Sequence, residues 1–463
     1  MRDDVWLVLP DQLSARLFFD CGIVAGLRER LGSRLVVVFP FAEIPVGEWA
    51  DRLEGVRVLE AAELLSSRAE FHEKIVRRLD RLVDRHAGYY PLAIRLNLRH
   101  GFHAERMAAG HANWMLDSAR VGWLPRWRWV ERGMARWHFS PRRYVPSALL
   151  ARMREECGAL VLSNVQPHVA VPFLLASRRL RRPIVAHVAS WDHTVGKGVI
   201  APFCDRYLVQ NPAMEQDLSR YHGIGSDRVV VTGWPQTDLY ARRRPWEDYE
   251  ELLRSCNLDP TVPLVVVTGN TPTNAPYEGR FVARLVAWWD SGPRERFSLL
   301  FRPHPRDREW RERFAPAADR PGAFVQAPSF TDFEQLAILL QHCNCVVANA
   351  GTILLEALVN DRPVVCVLYD EGGPPGESWA LKNVLGEHYR ELAASAAFYR
   401  AERFEDVVSA IERALANPQE LAEERCRVTR QVVGEVDGRA GERVVDTICL
   451  AVGDPNSNLQ SPA

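Results

Sequence analysis

The chain has 463 residues, enough for two or three domains with sizeable cores. Its 47% hydrophobic and 25% charged content is that of a globular protein in water, and a net charge of −1 offers no global attraction to nucleic acid or an anionic surface. The nine cysteines are irregularly spaced without a Cys-x-x-Cys, which excludes a disulfide framework and reads as reduced core thiols; no apolar run reaches the roughly 18 residues that span a bilayer.

Val5-Trp-Leu-Val-Leu-Pro10 is an apolar run stopped by proline, a first parallel strand with Asp11 at its end. Met1-Arg-Asp-Asp ahead of it does not read as a signal peptide. Ser14 is placed to cap the next helix, which turns Leu17, Phe18, Ile23 and Leu27 toward a core. Two more strands read at 34–40 and 56–59, and helical spacing runs from about Glu60 to Arg85. This alternation predicts a doubly wound α/β domain. Residues 110–146 break it: Trp114, Trp123, Trp127, Trp129 and Trp137 are interleaved with arginines. Aromatic plus Arg suits a peripheral membrane contact through 120–144, or a lipid-linked acceptor. The plainer reading is a helical insertion with its tryptophans packed inside. Single-stranded nucleic acid uses similar residues, but the neutral total charge speaks against it.

Strands resume at 159–164, 183–190, 205–210 and 227–233. Ser190-Trp-Asp-His-Thr-Val-Gly-Lys-Gly198 is a polar loop at one strand end, and Asn211-Pro212 opens a helix with Asn at the cap and Pro at the first position. Charge and Pro245 place a linker in 241–250. The pattern restarts at Leu264–Gly269, followed by the polar loop Asn270–Asn274, and strands recur at 297–301, 323–326, 345–348 and 363–368. Thr331-Asp-Phe-Glu334 fits a capping box for the helix carrying Leu336 and Leu339. Helices fill most of 404–451, and the polar tail from Gly453 has the composition of a disordered segment. The expected domains are 1–243, 244–430, and a C-terminal stretch 431–463 whose helix packs back on the first domain.

Open α/β sheets bind ligands at the C-terminal ends of their strands. Two such ends in the second half are polar. Leu299-Leu-Phe-Arg-Pro-His-Pro305 delivers Arg302 and His304, and Asn349-Ala350-Gly351-Thr352 leads into a helix starting near Ile353. Free backbone N–H groups and the positive helix end suit a phosphate there. His304, fixed by flanking prolines, is placed to donate to a diphosphate oxygen and stabilise a leaving group. The plain alternative is a loop His satisfied by carbonyls. Glu356 shares a helix face with Thr352, where a carboxylate accepts both hydroxyls of a ribose; otherwise it is a helix-surface Glu. With Thr268 and Asn270 these residues form the expected donor pocket, His304 and the Asn349–Glu356 turn lying on neighbouring strands.

Transfer to a hydroxyl needs a base. Asp11, Asn164, His187, Asp192, His193 and Lys197 all sit at or near strand ends of the first half, and the sequence does not choose among them. Asp11, Asp192 and His193 are carried forward with His304 as catalytic candidates. There is no Asp-x-Asp, P-loop, strand-linked Gly-x-Gly-x-x-Gly, zinc-spaced His/Cys cluster or Gly-x-Ser-x-Gly elbow.

Two tandem α/β domains with the pocket in the second resemble the GT-B glycosyltransferase architecture. Ser190–Gly198, Asp205-Arg-Tyr-Leu-Val and Arg228-Val-Val-Val-Thr-Gly-Trp-Pro-Gln236 look like bacterial surface-polysaccharide transferases. Arg302-Pro-His-Pro305 resembles the His-Pro motif of sialyl-, Kdo- and CDP-glycerol-type transferases, where the His contacts the donor phosphate. Asn349-Ala-Gly-Thr352, with Glu356-Ala-Leu and Pro363-Val-Val, resembles the same clan's phosphate loop and ribose-binding Glu. The resemblance implies two Rossmann-like domains facing each other across a cleft, and donor-binding roles for His304, Gly351, Thr352 and Glu356. Position 364 is Val, so a second acidic residue of a retaining motif is absent.

The leading expectation is a metal-independent glycosyltransferase, without cofactor, moving a sugar from a nucleotide donor to a glycan or lipid-linked acceptor in cell-surface polysaccharide synthesis. A CDP-glycerol-type glycerophosphotransferase, a nucleotide-sugar 2-epimerase of the same fold and a non-enzymatic scaffold are the alternatives. The expected location is the cytoplasm or the inner face of the membrane, with no nucleic-acid partner.

Overall fold

A computed structural model describes residues 4–40, 46–65, 136–140, 143–167, 169–196, 200–272, 274–330, 332–374, 378–384 and 386–453. Most of the Arg/Trp segment, the helical spacing beyond Leu65, Lys197, Thr331 and the tail after Gly453 lie outside the described residues.

The chain divides into two compact units, 1–236 with 439–463, and 237–438. Unit 1 holds seven parallel strands: β1 Asp4–Val8, β2 Leu35–Phe39, β3 Arg57–Glu60, β4 Cys157–Leu162, β5 Ile184–His187, β6 Arg206–Val209 and β7 Val229–Val231, in the order β3-β2-β1-β4-β5-β6-β7. Unit 2 holds six: β8 Leu264–Thr268, β9 Ser298–Arg302, β10 Ala323–Val325, β11 Cys345–Ala348, β12 Val364–Val367 and β13 Tyr399–Ala401, in the order β10-β9-β8-β11-β12-β13. Both orders reverse direction once, between β1 and β4 and between β8 and β11. That is the doubly wound plan, with its ligand-binding switch point.

The strand sequences explain the plan. β2 is an unbroken apolar run and β1 and β8 are apolar but for Asp4 and Thr268 at their ends, all buried on both faces, as helix-covered parallel strands must be. Each fully buried Leu or Val is worth about 1.5–3 kcal/mol relative to exposure. The core of unit 1 draws on helices α1 (Gln12–Asp20) and α2 (Ile23–Leu31) and on Val444, Val445, Ile448 and Cys449 of the last helix, Ala440–Ala451. Gly26 permits that helix to approach α2: a Cβ there would lie 3.0 Å from Val445 Cγ2. The core of unit 2 packs Phe281, Leu285 and Trp289 of helix Glu278–Asp290, with Val407 and Ile411 of helix Phe404–Ala416, onto one face of its sheet.

Several local expectations change. Asp11, not Ser14, caps α1: its Oδ1 accepts from Ser14 N at 2.9 Å. Asn211 caps its helix as expected, accepting from Met214 N. Helix Phe333–His342 has no side-chain cap. Glu334 pairs with Arg244 at 2.7 Å, so an ion pair claims the one carboxylate that a capping box would use, and the neighbouring Asp332 pairs with Arg302 at 2.7 Å. Strand β13 was missed because three residues amid helical spacing carry no period-2 signal. Among the described residues no helix is long and apolar enough to cross a membrane.

All nine cysteines are free thiols; Cys426 is exposed, Cys21 half-buried and the other seven buried. Burial pushes the Cys343 and Cys366 thiols up to about 12. In the native protein a thiol reagent at pH 8 should therefore label Cys426 fast, Cys21 more slowly and the rest only on unfolding. Peptide mass mapping checks this, and native-state labelling of Cys343 at the Cys426 rate would contradict the fold.

Candidate functional site

The C-terminal edge of the unit 2 sheet is level across four strands. Arg302 of β9 is in register with Thr268 of β8, Thr268 with Ala348 of β11, and Ala348 with Cys366 of β12. Polar loops leave from this row. The sequence placed His304 and the Asn349–Glu356 turn on neighbouring strands. In the sheet β8 lies between β9 and β11, so their ends are two strand spacings apart, about 10 Å. That still lies within the reach of one diphosphate group and its substituents.

His304 follows β9 in a tight turn in which Asp307 N donates to His304 O at 2.8 Å. Arg306 N donates to His304 Nδ1 at 3.0 Å, so the neutral ring carries its proton on Nε2. The turn is held from below by Arg313. Its guanidinium, 9% exposed, contacts Asp307, Asn270 O at 2.9 Å, Ala275 O at 2.8 Å and Glu278 Oε2 at 2.7 Å. Glu278 in turn accepts from Asn270 N at 2.9 Å. Nothing in the sequence around Arg313 marks this network, since Asn270, Ala275 and Glu278 lie 43, 38 and 35 residues away.

Other expected donor residues turn out to be tied into the scaffold. Arg302 is occupied by Asp332 and by Gln326 Oε1 at 2.6 Å. Asn349 Nδ2 donates to Val367 O at 3.1 Å and joins the loop to β12. Thr268 is buried, its Oγ1 3.5 Å from Val347 O, and Asn270 contributes its main chain to the Arg313 network. Ala350 is buried. A small recess lined by Val267, Thr268, Glu278, Phe281, Val347 and Asn349 among others lies at the ends of β8, β11 and β12, and His304, Gly351, Thr352 and Glu356 are not among its lining residues.

Helix Thr352–Val359 starts at Thr352 on a Gly351 N-cap that gives no side-chain hydrogen bond, and in its first turn Leu354 N donates to Gly351 O at 3.2 Å. Gly351 is extended at φ −169°, which any residue adopts. A Cβ on it would meet nothing closer than Asn349 O at 3.9 Å. Neither conformation nor packing requires glycine, and the open space lies at the helix's positive end. Thr352 is exposed, and Glu356, one turn later, is 5% exposed and accepts a hydrogen bond from Tyr240 Oη.

In unit 1 the switch point closes on itself. Asp11 Oδ2 accepts from Asn164 Nδ2 at 3.0 Å while Oδ1 caps α1, and Ser163 Oγ lies 2.9 Å from Ser14 Oγ. His187 is fully buried; its Nδ1 donates to Ser163 O at 2.9 Å, and burial pushes its pKa down to about 4. His193 is 8% exposed, and its carbonyl accepts from Gln166 Nε2. Asp192 is half-buried, with Oδ1 accepting from Ser190 Oγ at 2.5 Å. The loop that carries it is clamped by His222, whose Nε2 donates to Thr194 O at 2.7 Å and whose Nδ1 accepts from Ile200 N at 2.9 Å. Among the described residues no group of His, Cys, Asp and Glu has a metal-holding arrangement.

Against known proteins, a family model described as CDP-Glycerol:Poly(glycerophosphate) glycerophosphotransferase matches residues 199–450. No curated protein matches the chain. Solved structures do. The S. aureus MnaA–UDP co-structure is similar at 12% identity and TM-score 0.57, over 100% of this chain and 99% of that one. UDP-GlcNAc 2-epimerase from Neisseria meningitidis bound to UDP-GlcNAc is similar at 10% identity and TM-score 0.54, over 96% and 100%. A putative UDP-N-acetylglucosamine 2-epimerase from Listeria monocytogenes gives 13% and 0.53, over 100% of both. These likenesses speak to the fold alone: two Rossmann-like domains of the GT-B kind.

Two outcomes test this site. Gly351→Ala should weaken binding of a nucleoside diphosphate about tenfold, by filling the space before the helix N-terminus, and leave the ligand-free Tm within a few degrees. Calorimetry decides it; unchanged affinity would remove Gly351 from the site. The second concerns pH. Burial pushes the Glu278 carboxyl up from 4.5 to about 8, against the pull of Arg313 and with Asp307 adding to the rise. Between these values the folded chain holds a proton that the unfolded chain lacks, so this contribution is present below about 4.5 and lost as pH rises through about 8. Glu278→Gln, which cannot ionise, should gain in Tm relative to the parent across that window. A constant gap would refute it.

Proposed function

Since this chain belongs to the CDP-glycerol:poly(glycerophosphate) glycerophosphotransferase family, we propose that it moves a polyol phosphate from a CDP-alcohol donor to an acceptor hydroxyl in the synthesis of a cell-surface polymer. Glycosyl transfer, the leading expectation from sequence, becomes the second reading; it uses the same pocket but breaks the bond at carbon. The observation that carries the proposal is the overlap of the family match, 199–450, with all of unit 2 and with the loop end at Ile200.

In this reading the acceptor oxygen bonds to the donor's distal phosphorus as the phosphoanhydride P–O bond breaks, and CMP leaves. His304 donates from Nε2 to the diphosphate and stabilises the charge that builds on CMP. The open N-terminus of helix Thr352–Val359 takes a second phosphate oxygen, and Glu356 reads the ribose. The acceptor's proton goes to a base. Asp192, half-buried on a clamped loop, is taken as that base, with His193 beside it as the alternative; Asp11 has both oxygens committed and His187 is sealed in. No metal or cofactor is required in this scheme. The acceptor is a glycan or lipid-linked alcohol, and membrane contact through 120–144 would bring the chain to it.

A thermal-shift panel of CDP, CMP, UDP, GDP and TDP tests the donor class, since a ligand that binds only the folded state raises Tm by linkage. Cytidine nucleotides should give the largest shift, His304→Ala should lose most of it, and Asp192→Asn should keep it while losing turnover of CDP-glycerol. A selective UDP shift with no CDP response would return the reading to glycosyl transfer.

A further inference from the structure

Glu356 receives a contact that no part of the proposed reaction uses. Tyr240, 7% exposed, sends its hydroxyl to Glu356 Oε2 from a part of the chain 116 residues away. Tyr240 sits on the short helix Asp238–Ala241, at the start of unit 2. Its main chain is fastened to helix Phe333–His342: Gln341 Nε2 donates to Tyr240 O at 3.0 Å and to Arg242 O at 2.9 Å, while Gln341 Oε1 accepts from Arg244 N at 2.7 Å. The Arg244–Glu334 pair and the contact of His342 Nε2 with Arg244 O extend the same seam. A ring anchored in this way delivers its hydroxyl to one fixed point.

We infer that Tyr240 is a positioning residue for the donor site, holding the Glu356 carboxylate in the orientation that accepts the two ribose hydroxyls. A Glu side chain has three rotatable bonds, and a nearly buried carboxylate without a fixed donor would turn toward whatever N–H or O–H lies nearest. A phenolic hydroxyl on Oε2 selects one rotamer and sets the direction of the second oxygen. Tyrosine suits this better than serine or lysine would: its hydroxyl ends a rigid ring, and it stays neutral, so it adds no charge to the ribose site. The inference rests on the reading of Glu356 as the ribose-binding group.

The test is the ratio of affinities for CDP and for 2′,3′-dideoxy-CDP, measured by calorimetry on the whole chain and on Tyr240→Phe and Glu356→Gln. Tyr240→Phe keeps the ring and removes one oxygen. The parent should prefer CDP, Glu356→Gln should lose that preference, and Tyr240→Phe should cut it by about tenfold, the worth of one hydrogen bond to a charged group. If Tyr240→Phe weakens both nucleotides in proportion, or changes neither, the ratio stands and the positioning role is overturned while the ribose reading survives. If Glu356→Gln keeps the parent's preference, the ribose reading itself fails and the role of Tyr240 goes with it.

Discussion

Arg313 spends its guanidinium on four partners from three stretches of chain: the carbonyls of Asn270 and Ala275 in the loop after β8, Glu278 at the head of the following helix, and Asp307 in the His304 turn. Two acids and two carbonyls around one cation suit a planar fork with five donors, which lysine does not have. The cost of removing it is set less by the attractions lost than by the Asp307 carboxylate left behind in a buried place, about 3–5 kcal/mol for a broken buried pair. The packing around it is equally tight. A Cβ on Gly269 would come within 2.8 Å of Phe314 Cζ and 3.3 Å of Pro303 Cα. The loop after β8 and the turn that carries His304 are therefore fixed from underneath.

The two units share a strand order and differ in what they do with it. At the β1/β4 switch point the chain satisfies its own polar groups, through Asp11 with Asn164 and Ser14 with Ser163. At β8/β11 it leaves a recess and an uncapped helix end. A crevice that hydrogen-bonds to itself costs a ligand the breaking of those bonds, whereas an uncapped helix end gains from an anion. The same topology thus yields a closed edge in one unit and a receptive one in the other.

The strands were legible because both-face burial writes itself as runs such as Leu264-Val-Val-Val-Thr and Cys345-Val-Val-Ala. The doubly wound plan followed from alternation. His304 and the Asn349–Glu356 turn were also legible, because both sit where an apolar strand gives way to polar residues. What was not legible depends on partners far off in sequence. Nothing near Arg302 says that Asp332 will claim it, nothing in a charged turn marks Arg313 as buried, and Tyr240 meets Glu356 only through the fold. Asp11 shows the same limit at short range: an acid at a strand end reads as chemistry, and its neighbour Ser14 made it a cap.

The first unit is not continuous in sequence. Val444, Val445, Ile448 and Cys449 fill its core beside α2, and Arg443 Nε reaches Thr232 O at 2.7 Å, yet all of unit 2 lies between. During synthesis this reverses the usual order in which the part made first folds first. Unit 2 is a single uninterrupted segment and has all its own core once residue 438 has emerged, while the unit begun first waits, with an apolar face of α2 uncovered, for residues 440–451. A ribosome that stalls between the two would hold a finished second unit and an unfinished first one.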